Sequence, residues 1–377
     1  MRFWLSTATI VGTIIGVGIF SLPAVAVEAG WMGMVVVSLL VLTVVILTHI
    51  AYAHVVVLTK TKARLPGYAA IWLGASGKRW AFVSQAIGLA GSTLVYVLLG
   101  GFFLSQLLNF LTPTPAIAGM ALFVFAGAVL VWRGTKAIAE IEMIIVIIMV
   151  ACIVLLALVS YPFMSGAHFA SITMQGQPWR FYGVLMFALW GMSVIPQAAE
   201  MVDRRKVGAM VALSVVISFA ITLFFVFIVL GVDGRDASRD ALTGLTEHFG
   251  SWVRVLGYSF GVCATFTSYI SLTRTTMDML HYDLRVSQRL AFALAVGVPW
   301  LCILFGLNDF VTVMAITGAV SLGIEGSLAM LIEHHASSAR ADLKIFHIPH
   351  WLRISVVLFL SLGISIEILS VLGLLHV

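Results

Sequence analysis

Long apolar runs, separated by short polar or charged stretches, recur along this chain. Eleven of them could cross the roughly 30 Å of hydrocarbon in a bilayer: about 4–29, 32–58, 80–111, 116–132, 140–161, 181–201, 207–232, 252–280, 290–307, 310–332 and 352–375. The pattern predicts an all-α polytopic membrane protein with eleven transmembrane helices. Two runs are interrupted at matching places, Gly16-Val17-Gly18 in the first and Trp190-Gly191-Met192-Ser193 in the sixth. Lipid cannot satisfy the backbone groups that a broken helix frees, so such breaks belong beside a protein-lined cavity.

A shift of 175 residues lays runs one to five onto runs six to ten. Gly16 to Ser92 and Gly191 to Thr267 are then equal intervals, which makes Ser92-Thr93 and Thr267-Ser268 symmetry mates. Five spans per copy is an odd number, so the copies are inverted, and paired breaks in inverted repeats point to a transporter's substrate site. The reading is a single transmembrane domain: repeat one over about 4–161, repeat two over about 181–332, and an extra helix at about 352–375. In the connection from Gly234 to Ser251, Leu242, Leu245 and Phe249 have helical spacing. That spacing predicts a short amphipathic helix, either a lid over the outer vestibule or a plain surface helix.

Composition supports the membrane reading: 61% of residues are hydrophobic, 10% are charged and the mean hydropathy is +1.11. The net charge of +5 is an orientation signal, because sixteen of the 21 Lys and Arg fall in connections on the N-terminal side of the bilayer. Cations stay cytoplasmic, so the N-terminus is placed inside and the C-terminus outside a cell membrane, and no nucleic-acid partner is implied. Arg2, the first apolar run and Ala24-Val25-Ala26 imitate a signal peptide. That run is longer than a usual signal core and holds the first break, so it is read as a retained span. The three cysteines lie within spans and give no disulfide framework.

The stretch from Gly12 to Pro23, Gly-Thr-Ile-Ile-Gly-Val-Gly-Ile-Phe-Ser-Leu-Pro, resembles the first-helix signature of the amino acid/polyamine/organocation superfamily. Within it, the similarity is to hydroxy and aromatic amino acid permeases and their amino acid/auxin permease relatives. Phe187 to Pro196 with Glu200 resembles the broken sixth helix, Ala264 to Tyr269 the eighth, and Asp283-Leu284 the loop that follows. Where aromatic permeases tend to carry a Gly-aromatic-His-Gly-like run, this chain has Gly191-Met192-Ser193-Val194. The resemblance implies the leucine-transporter fold, a 5+5 inverted repeat with helices 1 and 6 broken. It also implies secondary active transport, by alternating access, of neutral, apolar or aromatic amino acids.

The substrate is expected at Gly16, Val17, Gly18, Tyr96, Leu189, Trp190, Gly191 and Ser193. Backbone N–H groups at the breaks would hold its carboxylate, and carbonyls near Leu189 its ammonium. A coupling cation, sodium or proton, is expected as well. Carried over from sodium-using relatives, a sodium site would use the carbonyls of Gly12, Ile15 and Ala264 and the hydroxyls of Thr267 and Ser268. No other cofactor is expected. Arg274 and Asp278 are spaced for an ion pair, and His334, His335, His347 and His350 fit no metal motif. An embedded enzyme would need clustered catalytic groups, but the intramembrane acids Glu28, Glu200, Glu325 and Glu367 are scattered and no hydrolase motif occurs. A membrane enzyme, or a carrier of another small organic solute, is therefore the alternative reading.

Overall fold

The computed structural model describes residues 2–59, 61, 63–133, 135–247, 249–340 and 348–374, with backbone alone at 135–146, 246, 282 and 283. The regular structure among the described residues is all helical. The first predicted run is split between α1 (Arg2–Ile14) and the start of α2 (Gly18–Leu58). Forty-one residues of straight helix would span about 60 Å, twice the hydrocarbon thickness. The chain instead reverses at Gly30, whose φ of 67° is open to glycine but strained for other residues. The 173–177 segment closes that turn: Trp31 N–H donates to Thr173 O, Met32 N–H to Met174 O and Gln177 N–H to Glu28 O.

α3 (Leu65–Leu108) begins before the predicted span and turns at Gly74, φ 72°. It is followed by α4 (Ala116–Arg133), α5 (Thr135–Ser160) and a short α6 (Gly166–Ala170). The sixth run is α7 (Trp179–Ala188), an irregular stretch and α8 (Ile195–Ala199). Then come α9 (Val207–Asp233), α10 (Leu242–Glu247), α11 (Ser251–Asp283) and α12 (Gln288–Leu304). The tenth run is α13 (Phe310–Ile316), a π-helical turn at Thr317–Ser321 and α14 (Leu322–Ala339), and α15 (His350–Val371) ends the bundle. Eight helices among the described residues are long and apolar enough to cross a membrane. Predicted spans five and nine correspond to shorter apolar helices, Ile147–Phe163 and Gln288–Leu304, while spans one and two share the bent α2.

Close packing rests on small residues, as expected where lipid removes the hydrophobic drive between helices. A Cβ on Gly318 of the π turn would lie 1.9 Å from Gly183 O on α7, so neither chain could back away without opening the bundle. Ser84 of α3 and Ser321 of the π turn donate to each other's carbonyls at 2.7 and 2.5 Å. The outer surface carries apolar side chains such as Leu39, Phe125, Leu158 and Leu358, with Trp4, Trp252 and Trp351 exposed near helix ends. That distribution suits a lipid surround with interfacial aromatics. The predicted amphipathic helix is α10. Leu242 and Leu245 are fully buried, and Phe249 meets Phe163 edge-on at 4.8 Å.

Candidate functional site

The two breaks interlock. A Cβ on Gly18 would lie 2.6 Å from Ala188 Cα at the end of α7, and one on Gly191 would lie 2.5 Å from Ile14 Cγ1 at the end of α1. None of the three break glycines has positive φ. They are required for close approach and not for backbone handedness. The amides of Gly16 and Gly18 have no hydrogen-bond acceptor among the described residues, and no backbone amide donates to the carbonyls of Ala188 and Leu189. The positive end of α2 and the negative end of α7 therefore face the same place with free donors on one and free acceptors on the other.

Tyr96 of α3 joins the first break to the eighth predicted span. Its hydroxyl lies 2.7 Å from where a Gly16 Cβ would be, and Ser268 Oγ lies 3.2 Å from the same point. A cavity of about 1340 Å³ opens beside these groups, lined by Gly16, Gly18, Tyr96, Phe187, Trp190 and Ser193. Val17, Leu189 and Gly191 are buried and do not line it. Of the cation set, Gly12, Thr267 and Ser268 line the cavity, whereas Ile15 and Ala264 are buried behind it. Thr267 Oγ1 donates to Cys263 O at 3.3 Å, one turn back on its own helix.

From the breaks the cavity runs to the connections that join α2 to α3 and α8 to α9, where Arg64, Glu200 and Arg204 stand with Arg274 and Asp278 of α11. Arg274 and Asp278 make the expected pair at 3.0 Å. On the other side of the first break the way is closed by Phe20, Phe103, Phe225 and Phe260, all fully buried. Phe20 meets the other three edge-on, at 5.1, 5.8 and 5.2 Å between ring centres.

One expectation needs correction: Gly191 N–H is not available to a ligand. It donates to His49 Nε2 of α2 at 3.0 Å. Accepting there, His49 must carry no proton on Nε2, and its Nδ1 lies 3.5 Å from Thr48 Oγ1. Trp190 packs edge-on against His49 at 4.9 Å, and its indole N–H donates to Glu325 Oε2 of α14 at 3.1 Å. His49 and Glu325 thus hold the second break from two sides, yet neither was assigned a role from sequence. One of two histidines in span two and a lone acid in span ten were the available signals. The other acids lie elsewhere: Glu28 pairs with Arg180 at 3.8 Å, and Glu367 is buried in α15. His334 meets His335 edge-on and His350 at a tilt; His347 and the side chain of Asp283 lie outside the described residues. Among the described residues no group of His, Cys, Asp and Glu is arranged to hold a metal ion.

This arrangement defines the class of protein. The solved structure of MhsT in complex with L-phenylalanine matches 98% of this chain and 98% of its own, with a TM-score of 0.72 at 17% identity. The fold is therefore the leucine-transporter fold. The family description for tryptophan/tyrosine permeases matches residues 1–368, and the chain belongs to that family. No curated protein matches the sequence.

Proposed function

We propose that the chain is a secondary active permease for neutral amino acids, aromatic ones foremost, which binds its substrate between the two breaks. The observation that carries this reading is the interlocking of the breaks, with free amides at Gly16 and Gly18 facing free carbonyls at Ala188 and Leu189. A zwitterion needs such a pair of opposed helix ends. Phe187, Trp190 and Tyr96 offer its side chain an apolar, aromatic wall. By the charge bias of its connections, the cavity mouth faces the cytoplasm, the N-terminus lies inside and the C-terminus outside. The Phe20 cluster then closes the outer side. Membership of a permease family favours carriage over catalysis. The repeats are taken as about 4–161 and 181–332, with 352–375 outside them.

For the coupling ion, one proposal is sodium held by the carbonyls of Gly12, Ile15 and Ala264 and the hydroxyls of Thr267 and Ser268, neutral oxygens that suit a hard cation. The proximity of Ser268 to Gly16 supports it. The Tyr96 hydroxyl, which shares the space beside Gly16 with Ser268, weighs against it.

The test is entrance counterflow in proteoliposomes across a panel of amino acids. Exchange should be fastest for aromatic substrates. It should be lost in Gly18→Val, whose side chain would strike the Ala188 backbone, while the protein still inserts and is purified intact. No counterflow with any amino acid would refute the reading.

A further inference from the structure

We infer that Glu325 carries the coupling proton and that the second break senses it through Trp190. This rests on the permease reading and adds its driving ion. Glu325 is 6% exposed and lines the cavity, and Trp190 Nε1–H is its only hydrogen-bond or ion-pair partner among the described residues. Its second oxygen faces α3, 3.5 Å from where a Gly88 Cβ would lie. A carboxylate inside a membrane protein is costly without a cation or several donors, and it marks proton pathways when it has neither. Here the cavity supplies the route for a proton, and taking it up turns the second oxygen into a hydroxyl donor. An acceptor stands on that side. Gln85, three residues before Gly88 on α3, lines the same cavity, and its Oε1 is buried with no donor. A neutral Glu325 has a proton to offer an acceptor on the α3 side while keeping the Trp190 bond, whereas the ionised form can only accept.

The groups that face this site from the packed elements are neutral or distant. α2 contributes His49, which accepts from Gly191, and Tyr52. α3 contributes Gln85. α14 itself adds Glu333, whose carboxylate is held by Arg353 of α15 and His54 of α2. Glu367 of α15 is buried beside Tyr182. Arg64, Glu200, Arg204, Arg274 and Asp278 belong to the cavity mouth. Among the described residues no side-chain cation is paired with Glu325, which leaves it open to neutralisation by a proton. Trp190 joins that carboxyl to Gly191 and hence to the meeting of the two breaks, which makes Trp190 a positioning residue for coupling.

The experiment compares wild type, E325Q and W190F in proteoliposomes, using the amino acid that the counterflow panel exchanges fastest. A gradient of one pH unit should drive wild-type accumulation of up to about tenfold at one proton per substrate. E325Q should show no pH-driven accumulation and no pH dependence of exchange, while still exchanging. W190F alters the wall offered to the substrate as well as the bond to Glu325, so it should weaken apparent substrate affinity and also displace the pH profile of the remaining exchange. Accumulation by E325Q equal to wild type would overturn the inference. So would wild-type accumulation that follows a sodium gradient and ignores pH, which would favour the neutral oxygen set. Loss of both exchange and accumulation in E325Q and also in E325D would assign the residue to substrate binding or folding and overturn the inference as well. Absence of exchange in wild type would instead strike the permease reading itself.

Discussion

Glu325 and Glu333 lie eight residues apart on α14, in opposite surroundings. Glu333 is fully buried and saturated: Arg353 donates to it through two nitrogens at 2.8 Å, His54 Nδ1 lies 3.0 Å away and Ser337 bonds to it from the next turn. Glu325 has one indole and a cavity. The first carboxylate ties α14 to α2 and α15 and has no reason to change its charge. The second stands where an element that must move meets an open space. Position in the bilayer does not by itself make an acid functional; the number and charge of its partners decide whether it is a fastening or a switch.

The largest effect should come from breaking the fastening. Glu333→Ala leaves the buried Arg353 guanidinium unpaired and should cost about 3–5 kcal/mol, with most of it recovered in Glu333→Gln combined with Arg353→Met. Thermal unfolding of the detergent-purified protein gives both numbers, and a single variant as stable as wild type would erase the distinction between the two acids. Trp190→Phe removes the hydrogen bond from the buried Glu325 and should cost about 1–3 kcal/mol. Glu325→Gln keeps an acceptor for the indole, so its stability loss should be smaller still, below about 1 kcal/mol. A loss as large as that of Glu333→Ala would show Glu325 to be a fastening too.

The smallest effect lies outside the membrane, at the 3.1 Å pair between Arg239 and Asp309. Burial alone would push Asp309 up, but hydrogen bonds from Thr312 and Arg239 and the Arg239 charge outweigh it and hold the carboxyl below the ordinary range. A depressed native value means the contribution is present above the unfolded aspartate value and fades as pH falls through the native one. About half of each side chain is exposed, so Asp309→Asn should cost no more than about 1 kcal/mol. That loss should be visible in melting curves near neutral pH and vanish in strong acid.

Much of the fold was legible in local pattern. Hydropathy placed the helices, and glycine spacing located both breaks, because each is a property of contiguous residues. The reversal at Gly30 fell at the gap between two apolar runs, but its closure by residues 173–177 could not be read, since those hydrogen bonds join segments far apart in sequence. Tyr96 was legible through its position in span three. His49 and Glu325 were not, since their partners, Gly191 and Trp190, are more than a hundred residues distant. The π turn was also hidden. Thr317 to Ser321 look like ordinary helix, and only the facing glycines of α3 and α7 show why the turn is widened there.

The four phenylalanines beyond the first break also bear on how the carrier rests. Turning the site to the opposite side must part Phe20 from Phe103, Phe225 and Phe260. If that exposes about 200 Å² of ring surface to water, the cost is about 5 kcal/mol at about 25 cal/mol per Å², a bias of roughly a thousandfold or more. An empty carrier would then idle with its mouth on the side where the arginines gather, and return of the vacant protein would be the slow limb of its cycle. A solute can pull it over only by preferring the rarer form by a comparable margin.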